Sequence, residues 1–270
     1  MKKFLMISAG VAVVAVAAGA GVYAARDRGP AKTIAIVREV TAGDTLTVDL
    51  DGKSRTLHLA DVEAPSEADG DCLALESTEQ LSGYAPVGTK LRLESDGAAL
   101  DASTAGDTID AAAYLSDGSL LNGMIAGDGL AYLPATASSN PTRFDVQRAQ
   151  ETARVDKVGL YSVDVSCTIP AQVFTLSEQV ETAPLTIDPA APPATLTAQR
   201  ARLATVMDAA TQTANVISGD QTGAAWEALR SSDRISYVAE AERAVARLEV
   251  ASGQITAALG GSPTLPVAKN

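Results

Sequence analysis

Aromatic residues are scarce in this chain, with three Phe, six Tyr and one Trp among 270 residues. A core with so few rings has to be filled by small and branched side chains, and an alanine-rich core of that kind is often helical. The same scarcity argues against a wall of stacked rings for sugar binding. Histidine is rarer still: His58 stands alone, and one imidazole with two cysteines cannot complete the four-ligand set of a zinc site. Basic residues are outnumbered, 21 Lys and Arg against 33 Asp and Glu, for a net charge of -12. A field of that sign repels phosphate backbones and disfavours generic nucleic-acid binding. The imbalance is concentrated between Lys32 and Thr168, where 10 Lys and Arg face 22 Asp and Glu.

The long uncharged run is at the start. Lys2 and Lys3 precede 22 uncharged residues, Phe4 to Ala25, and Arg26 and Arg28 follow. About 20 residues at 1.5 Å each span a bilayer, and a cleaved signal needs only about 7–15 apolar residues, so the length favours an anchor. Val22-Tyr23-Ala24 satisfies the small-x-small rule for signal cleavage, and secretion after cleavage is the alternative. No cysteine lies in this segment, which excludes a lipoprotein-type lipid anchor. Either way the remaining chain is expected outside the cytoplasm. Ser8 with Ala12, Ala17 with Gly21, and Ala20 with Ala24 are small residues four apart, the spacing that lets membrane helices approach one another closely. Cys72 and Cys167 are the two cysteines of an exported chain and are expected to pair.

Strand-like alternation fills 33–40, 45–50 and 55–62, with the tight-turn pair Asp51-Gly52 between the last two. Helical spacing is read at 75–85, alternation again at 88–94 and 110–116, and helical spacing at 119–126 and 142–155. Strands with helical insertions and a helix last imply an α+β domain built on a small β-barrel. Four prolines in 182–194 mark a stiff linker. Two helical patterns then follow, one through Leu196, Leu203, Met207, Ala210, Ala214 and Ile217. The other runs through Ile235, Val238, Val245, Leu248, Ala251, Ile255 and Leu259, and together they imply a helical hairpin with a coiled-coil-like seam. The expected divisions are an anchor or signal segment at 1–31, the barrel domain at 32–168, a Pro-rich linker at 169–194, the hairpin at 195–260 and a tail at 261–270.

Several landmarks of the middle domain fall in a familiar order. They are Ala42-Gly43-Asp44-Thr45, Leu59-Ala60-Asp61-Val62-Glu63-Ala64-Pro65-Ser66, Cys72-Leu73-Ala74-Leu75-Glu76, Gly88-Thr89-Lys90-Leu91-Arg92-Leu93, Ala113-Tyr114-Leu115 with Asp117-Gly118 and Leu121-Asn122, Gly129-Leu130-Ala131, and Gly159-Leu160-Tyr161. In this order the domain resembles the staphylococcal-nuclease (thermonuclease) family, over about Thr33 to Ser162. The resemblance implies an OB-type five-stranded barrel with helices. It also implies a Ca²⁺ site of two carboxylates and a carbonyl, two phosphate-gripping arginines and a glutamate that orients water. Asp44 matches the first carboxylate and Glu63 stands where the second, an aspartate, is expected. The glutamate falls on Ser66, which cannot serve as a base near neutral pH. One arginine falls on His58 and the other near Ile109, with Thr108 or Asp110 reached by a one-residue slip; none of these is a guanidinium. Phosphoryl transfer depends on positioning and charge stabilisation, so these losses remove most of the catalytic effect.

The resemblance therefore implies the fold without the chemistry. Asp44 is read first as a turn former and Asp61 and Glu63 as solvated acids. A structural Ca²⁺ among Asp44, Asp61 and Glu63 is the alternative, and no other cofactor is expected. The expected function is a non-enzymatic, membrane-anchored accessory or scaffold subunit of a larger membrane or envelope assembly, a respiratory complex being one example, with no nucleic-acid partner. The competing reading is a secreted or anchored Ca²⁺-dependent nuclease with a divergent site, and a third is an extracellular oligosaccharide- or peptide-binding barrel.

Overall fold

The structure, a computed structural model, describes residues 33–95, 98–100, 105–135, 142–219 and 223–260. The first strand, β1 (Ile34–Ala42), turns its small and branched residues Ala35 and Val37 inward, and register shifts after Val37 and Val40 bend it around the barrel. β2 (Thr45–Leu50) places Leu46, Val48 and Leu50 inside by simple alternation. Asp51 and Gly52 both have positive φ, 52° and 77°, as the two-residue turn into β3 (Lys53–Leu59) requires, and the Gly52 amide donates to Asp49 Oδ1. β4 (Lys90–Ser95), the two-residue β5 (Ala98–Ala99) and β6 (Thr108–Tyr114) complete the sheet. Its order is β1-β2-β3-β6-β4-β5, and β1 pairs again with β4. Five strands thus close on themselves, consistent with an OB-like fold; β3 and β6 run parallel and the other neighbours antiparallel. The class is α+β, as the sequence implied.

Three helices cover the barrel: α1 (Ala74–Tyr84), α2 (Leu121–Gly127) and α3 (Thr142–Asp156). Asn122 at the start of α2 is fully buried. Its Oδ1 accepts from the Ala113 amide at 3.0 Å, and its Nδ2 donates to the Ala60 carbonyl at 2.8 Å, so one amide side chain ties α2 to β6 and to the end of β3.

The stretch 169–194 is not all linker. Residues Ile169–Thr182 form a helix, α4, started by Thr168, whose Oγ1 accepts from the Ala171 amide, and by Pro170 in the first turn. Val173, Leu176 and Val180 line its buried side. That periodicity outweighs the prolines, which act further on: Pro184, Pro189 and Pro192 lie in an irregular segment, and Pro193 opens α5 (Pro193–Ser218). A short helix, α6 (Ala224–Glu227), precedes α7 (Ser231–Ala258). α4, α5 and α7 pack on one another. The α5 face is Leu196, Leu203, Ala210 and Ile217, a strict seven-residue repeat, and the α7 face is Ala241, Ala244, Leu248, Ala251 and Ile255. Ile235, expected in that seam, is 71% exposed: the buried stripe of α7 runs through its alanines and leaves the start of the helix turned outward. The helical core also takes in Tyr132, Ala153, Leu160 and Tyr161 from the barrel domain, while the barrel interior forms a second apolar cluster of its own.

Residues 1–31, with the proposed anchor and its packing positions Ser8, Ala12, Ala17, Gly21 and Ala24, lie outside the described residues, as does the tail 261–270. Among the described residues no helix is long and apolar enough to cross a membrane.

Candidate functional site

The Gly43-Asp44-Thr45 turn between β1 and β2 is fixed by contacts that leave its carboxylate little freedom. A Cβ at Gly43 would fall 1.8 Å from Ser77 Oγ, so only glycine lets the turn lie against α1. Ser77 in turn is buried and donates to the Leu130 carbonyl at 2.8 Å. Asp44 Oδ1 accepts from Thr45 Oγ1 at 2.7 Å and Oδ2 accepts from the Ala64 amide at 2.9 Å. Its carbonyl accepts from the Leu59 amide. Both carboxylate oxygens thus brace the turn against the Ala64-Pro65 corner. Thr45 Oγ1 also lies 2.9 Å from His58 Nδ1. With the hydroxyl proton given to Asp44, His58 is the Nδ1–H donor of this pair, and its ring is held by the wall rather than presented to a phosphate.

The other predicted positions fare differently. Ile109 is buried, paired with Leu57 in the β3–β6 ladder, and faces the core. The residue beside His58 on the outward side is Asp110, which is exposed and an acid. The one-residue slip therefore places a negative charge where the resemblance implies a guanidinium. Ser66 is absorbed into its own loop: its amide donates to Asp71 Oδ2 at 3.0 Å and its Oγ accepts from the Asp69 amide. Asp61 is buried in a turn with φ of 60°, a conformation that aspartate tolerates. Among the described residues no group of three or more His, Cys, Asp and Glu is arranged to hold a metal ion.

Glu63 instead meets the C-terminal part of the chain. Its backbone exchanges both hydrogen bonds with Tyr132, each 2.8 Å. The Tyr132 hydroxyl donates to Glu227 Oε2 of α6 at 3.1 Å. Partial burial, and then the carboxylates of Glu227 and Asp44, push Glu63 above the usual carboxylate range. Burial, and then Glu63 and Glu227, likewise push the Tyr132 phenol well above its ordinary value. Asp71 Oδ1 accepts from the Ala224 amide at the start of α6. Asp44, Glu63, Asp71 and Glu227 are thus gathered on one rim, and among the described residues none of the four enters an ion pair with a Lys or Arg.

Residues 223–229 hold this rim from the other side. Gly223 adopts a φ of 96° beside Asp71. The Ala228 carbonyl accepts from Tyr161 Oη and Gln150 Nε2, and Arg234 donates to the Glu227 and Leu229 carbonyls while its guanidinium lies 5.4 Å from the Trp226 ring centroid. Burial, foremost, raises the Tyr161 phenol to about 12. The Cys72–Cys167 disulfide, expected from the sequence, forms next to this contact, with 5.6 Å between its Cα atoms; it ties the loop that carries Asp71 to the residue before Thr168. Sequence reading missed Asp71, Tyr132 and Glu227 as partners. The one available signal was the lone Trp226, a costly residue to place in a supposed break between helices in an aromatic-poor chain.

A separate groove of ≈ 640 Å³ lies on the barrel wall, lined by Ile34, Ile36, Lys90, Arg92 and Tyr114 among others, with Arg92 stacked 4.0 Å above the Tyr114 ring. It shares the landmark residues Lys90, Arg92, Tyr114 and Leu115 but includes none of Asp44, His58, Glu63, Ser66 and Ile109, the positions to which the resemblance assigns chemistry. No protein-family model matches the chain, and no curated protein matches it in sequence.

Proposed function

We propose that the chain is a non-catalytic, thermonuclease-like module held at a membrane outside the cytoplasm. It serves as an accessory or scaffold subunit of a larger membrane or envelope complex, a respiratory assembly being one example. The observation that carries this reading is the rim around Tyr132. Where phosphoryl transfer needs cations, the rim has Asp44, Glu63, Asp71 and Glu227, and the chain's own α6 is seated on it. An anionic substrate meets repulsion there, because among the described residues none of the four carboxylates is neutralised by an ion pair. The thermonuclease ancestry rests on the ordered landmarks together with a closed five-stranded barrel. The 22-residue uncharged run supports the anchored location.

The test is purification of the full chain in mild detergent, with mass spectrometry of what accompanies it. A defined set of membrane proteins in fixed ratio is the expected result, and a lone chain refutes the reading. The nuclease alternative draws on one observation, the nearness of the Asp44 and Glu63 carboxylates. It requires Ca²⁺-stimulated cleavage of single-stranded DNA or RNA that Asp44→Ala abolishes; no cleavage is expected.

A further inference from the structure

The irregular segment after α4 and the outer side of α7 enclose a groove of ≈ 580 Å³, lined by Leu185, Arg243, Ala246, Arg247 and Val250. Arg243, Arg247 and Val250 follow one another by four and three residues, so they share a helix face. Val250 is 62% exposed, a large apolar side chain with nothing over it, while Leu185 packs partly onto the helical core. Among the described residues neither Arg243 nor Arg247 enters an ion pair, a state that Arg200, Arg202 and Arg234 share; what sets Arg243 and Arg247 apart is that they flank exposed apolar side chains on one helix face. In a chain with 33 acids to 21 bases, Arg243 and Arg247 form an exposed basic pair beside apolar side chains, complementary to an acidic partner. Glu240, one turn earlier on α7, is occupied by Ser177 of α4. The opposite wall is fixed in advance: Pro184 restricts the backbone, the Leu185 amide donates to the Ala183 carbonyl, and Asp188 accepts from the Ala190 and Ala191 amides.

We infer that this groove docks an acidic, amphipathic peptide segment of a partner protein. Carboxylates of the segment pair with Arg243 and Arg247, and an apolar side chain fills the space over Leu185, Ala246 and Val250. Guanidinium forks suit carboxylates, and the shallow apolar strip of Leu185, Ala246 and Val250 beside the two arginines matches a segment that carries acidic and apolar side chains together. The inference rests on the accessory-subunit reading and adds the chemistry of the partner.

The probe is a fluorescein-labelled peptide of repeated Glu-Leu-Glu-Glu-Leu, with a Lys-for-Glu peptide as control, titrated with the full chain in neutral detergent and followed by anisotropy. The acidic peptide should bind saturably, weaken as salt rises from about 50 to 300 mM, and lose about tenfold in affinity with Arg243→Glu/Arg247→Glu. The Lys peptide should not bind. Unchanged Trp226 fluorescence shows that the variant is folded. Equal binding of both peptides, or an unaffected variant, overturns the assignment. So does binding of soluble dihexanoyl phosphatidylglycerol in place of the peptide, or self-association that the double variant abolishes without any peptide binding. The two readings separate in co-purification: if wild type and double variant bring the same partners, the groove fails and the accessory role stands. If neither brings any, the accessory role fails while anisotropy still decides the groove.

Discussion

Gly223 is the position at which the seating of α6 on the barrel can be tested quantitatively. Its φ of 96° and ψ of 157° are open to glycine and strained for alanine, and an added Cβ would come within 2.8 Å of Asp71 Oδ1. Gly223→Ala should therefore cost roughly 1–3 kcal/mol in backbone strain. Displacing the Asp71 carboxylate from the Ala224 amide, a long contact at 3.4 Å, adds about 0.5–1 kcal/mol. In an Asp71→Ala background only the backbone cost survives, so a double-mutant cycle should return a coupling of about 0.5–1 kcal/mol. The assay is urea unfolding of the full chain in mild detergent, read at once by the single tryptophan, Trp226, and by far-ultraviolet circular dichroism. With a slope of about 2–3 kcal/mol per molar urea, the midpoint should fall by roughly 1 M. A loss for Gly223→Ala within about 0.5 kcal/mol, the range of an ordinary surface change, would refute the claim that Asp71 seats this segment. A large loss with no coupling would place the strain there but deny the contact.

Three further outcomes are expected. Cys72→Ser/Cys167→Ser frees a loop of 95 residues in the unfolded chain and should lower stability by at most roughly 4–5 kcal/mol, seen as a fall in the urea midpoint; thiol labelling of both cysteines in the native protein would contradict the bond. Asn122→Ala leaves the buried Ala113 amide and Ala60 carbonyl without that partner, for a loss of about 3–5 kcal/mol by denaturation, and a loss below about 1 kcal/mol would mean that water replaces the amide. Glu63 has a raised pKa in the folded chain, so the native state holds its proton more firmly than the unfolded one. Its contribution is most favourable below the ordinary glutamate range and is lost as pH rises through the folded value. Glu63→Gln should accordingly stabilise the protein at neutral pH and show no gain once the pH lies below that range; equal effects at both ends would exclude the carboxylate crowding.

Features set by local periodicity or by one turn were readable from the sequence. Alternation in 45–50 and 55–62 with Asp51-Gly52 specified the β2–β3 hairpin. The disulfide followed from the number of cysteines and from the expectation of export that the N-terminal uncharged run supports. What the sequence did not show was phase and long-range contact. Ile109 was matched to an arginine by landmark counting, but a strand side chain points to one face or the other by parity, and its parity is inward. The α4 helix was hidden by prolines that belong to the next segment. Ile235 has the right spacing for the α7 seam, yet the seam is built on alanines, whose weak apolar signal a periodicity count passes over. Tyr132, Asp71 and Glu227 lie far apart in the chain, and no spacing rule connects them.

The carboxylates left without an ion pair among the described residues and the presence of α6 at the rim are physically connected. A site that binds nucleotides needs an open approach and positive charge, and each makes a carboxylate such as Glu227 on the rim unfavourable to function. His58 and Ile109 supply no guanidinium, so under the proposed non-catalytic reading that constraint does not act here and the rim is surface available for packing. The chain uses it as such: the Tyr132 hydroxyl satisfies Glu227, Asp71 receives the Ala224 amide, and Tyr161 and Gln150 bind the Ala228 carbonyl. The cost is carboxylate repulsion between Glu63 and Glu227, which the raised pKa of Glu63 records. It is moderated because both side chains reach solvent. On the proposed non-catalytic reading, arginine introduced at His58 should therefore not produce cleavage, since Asp110 lies beside it and α6 occupies the rim. Ca²⁺-dependent nuclease activity in His58→Arg alone would show that α6 leaves the rim open.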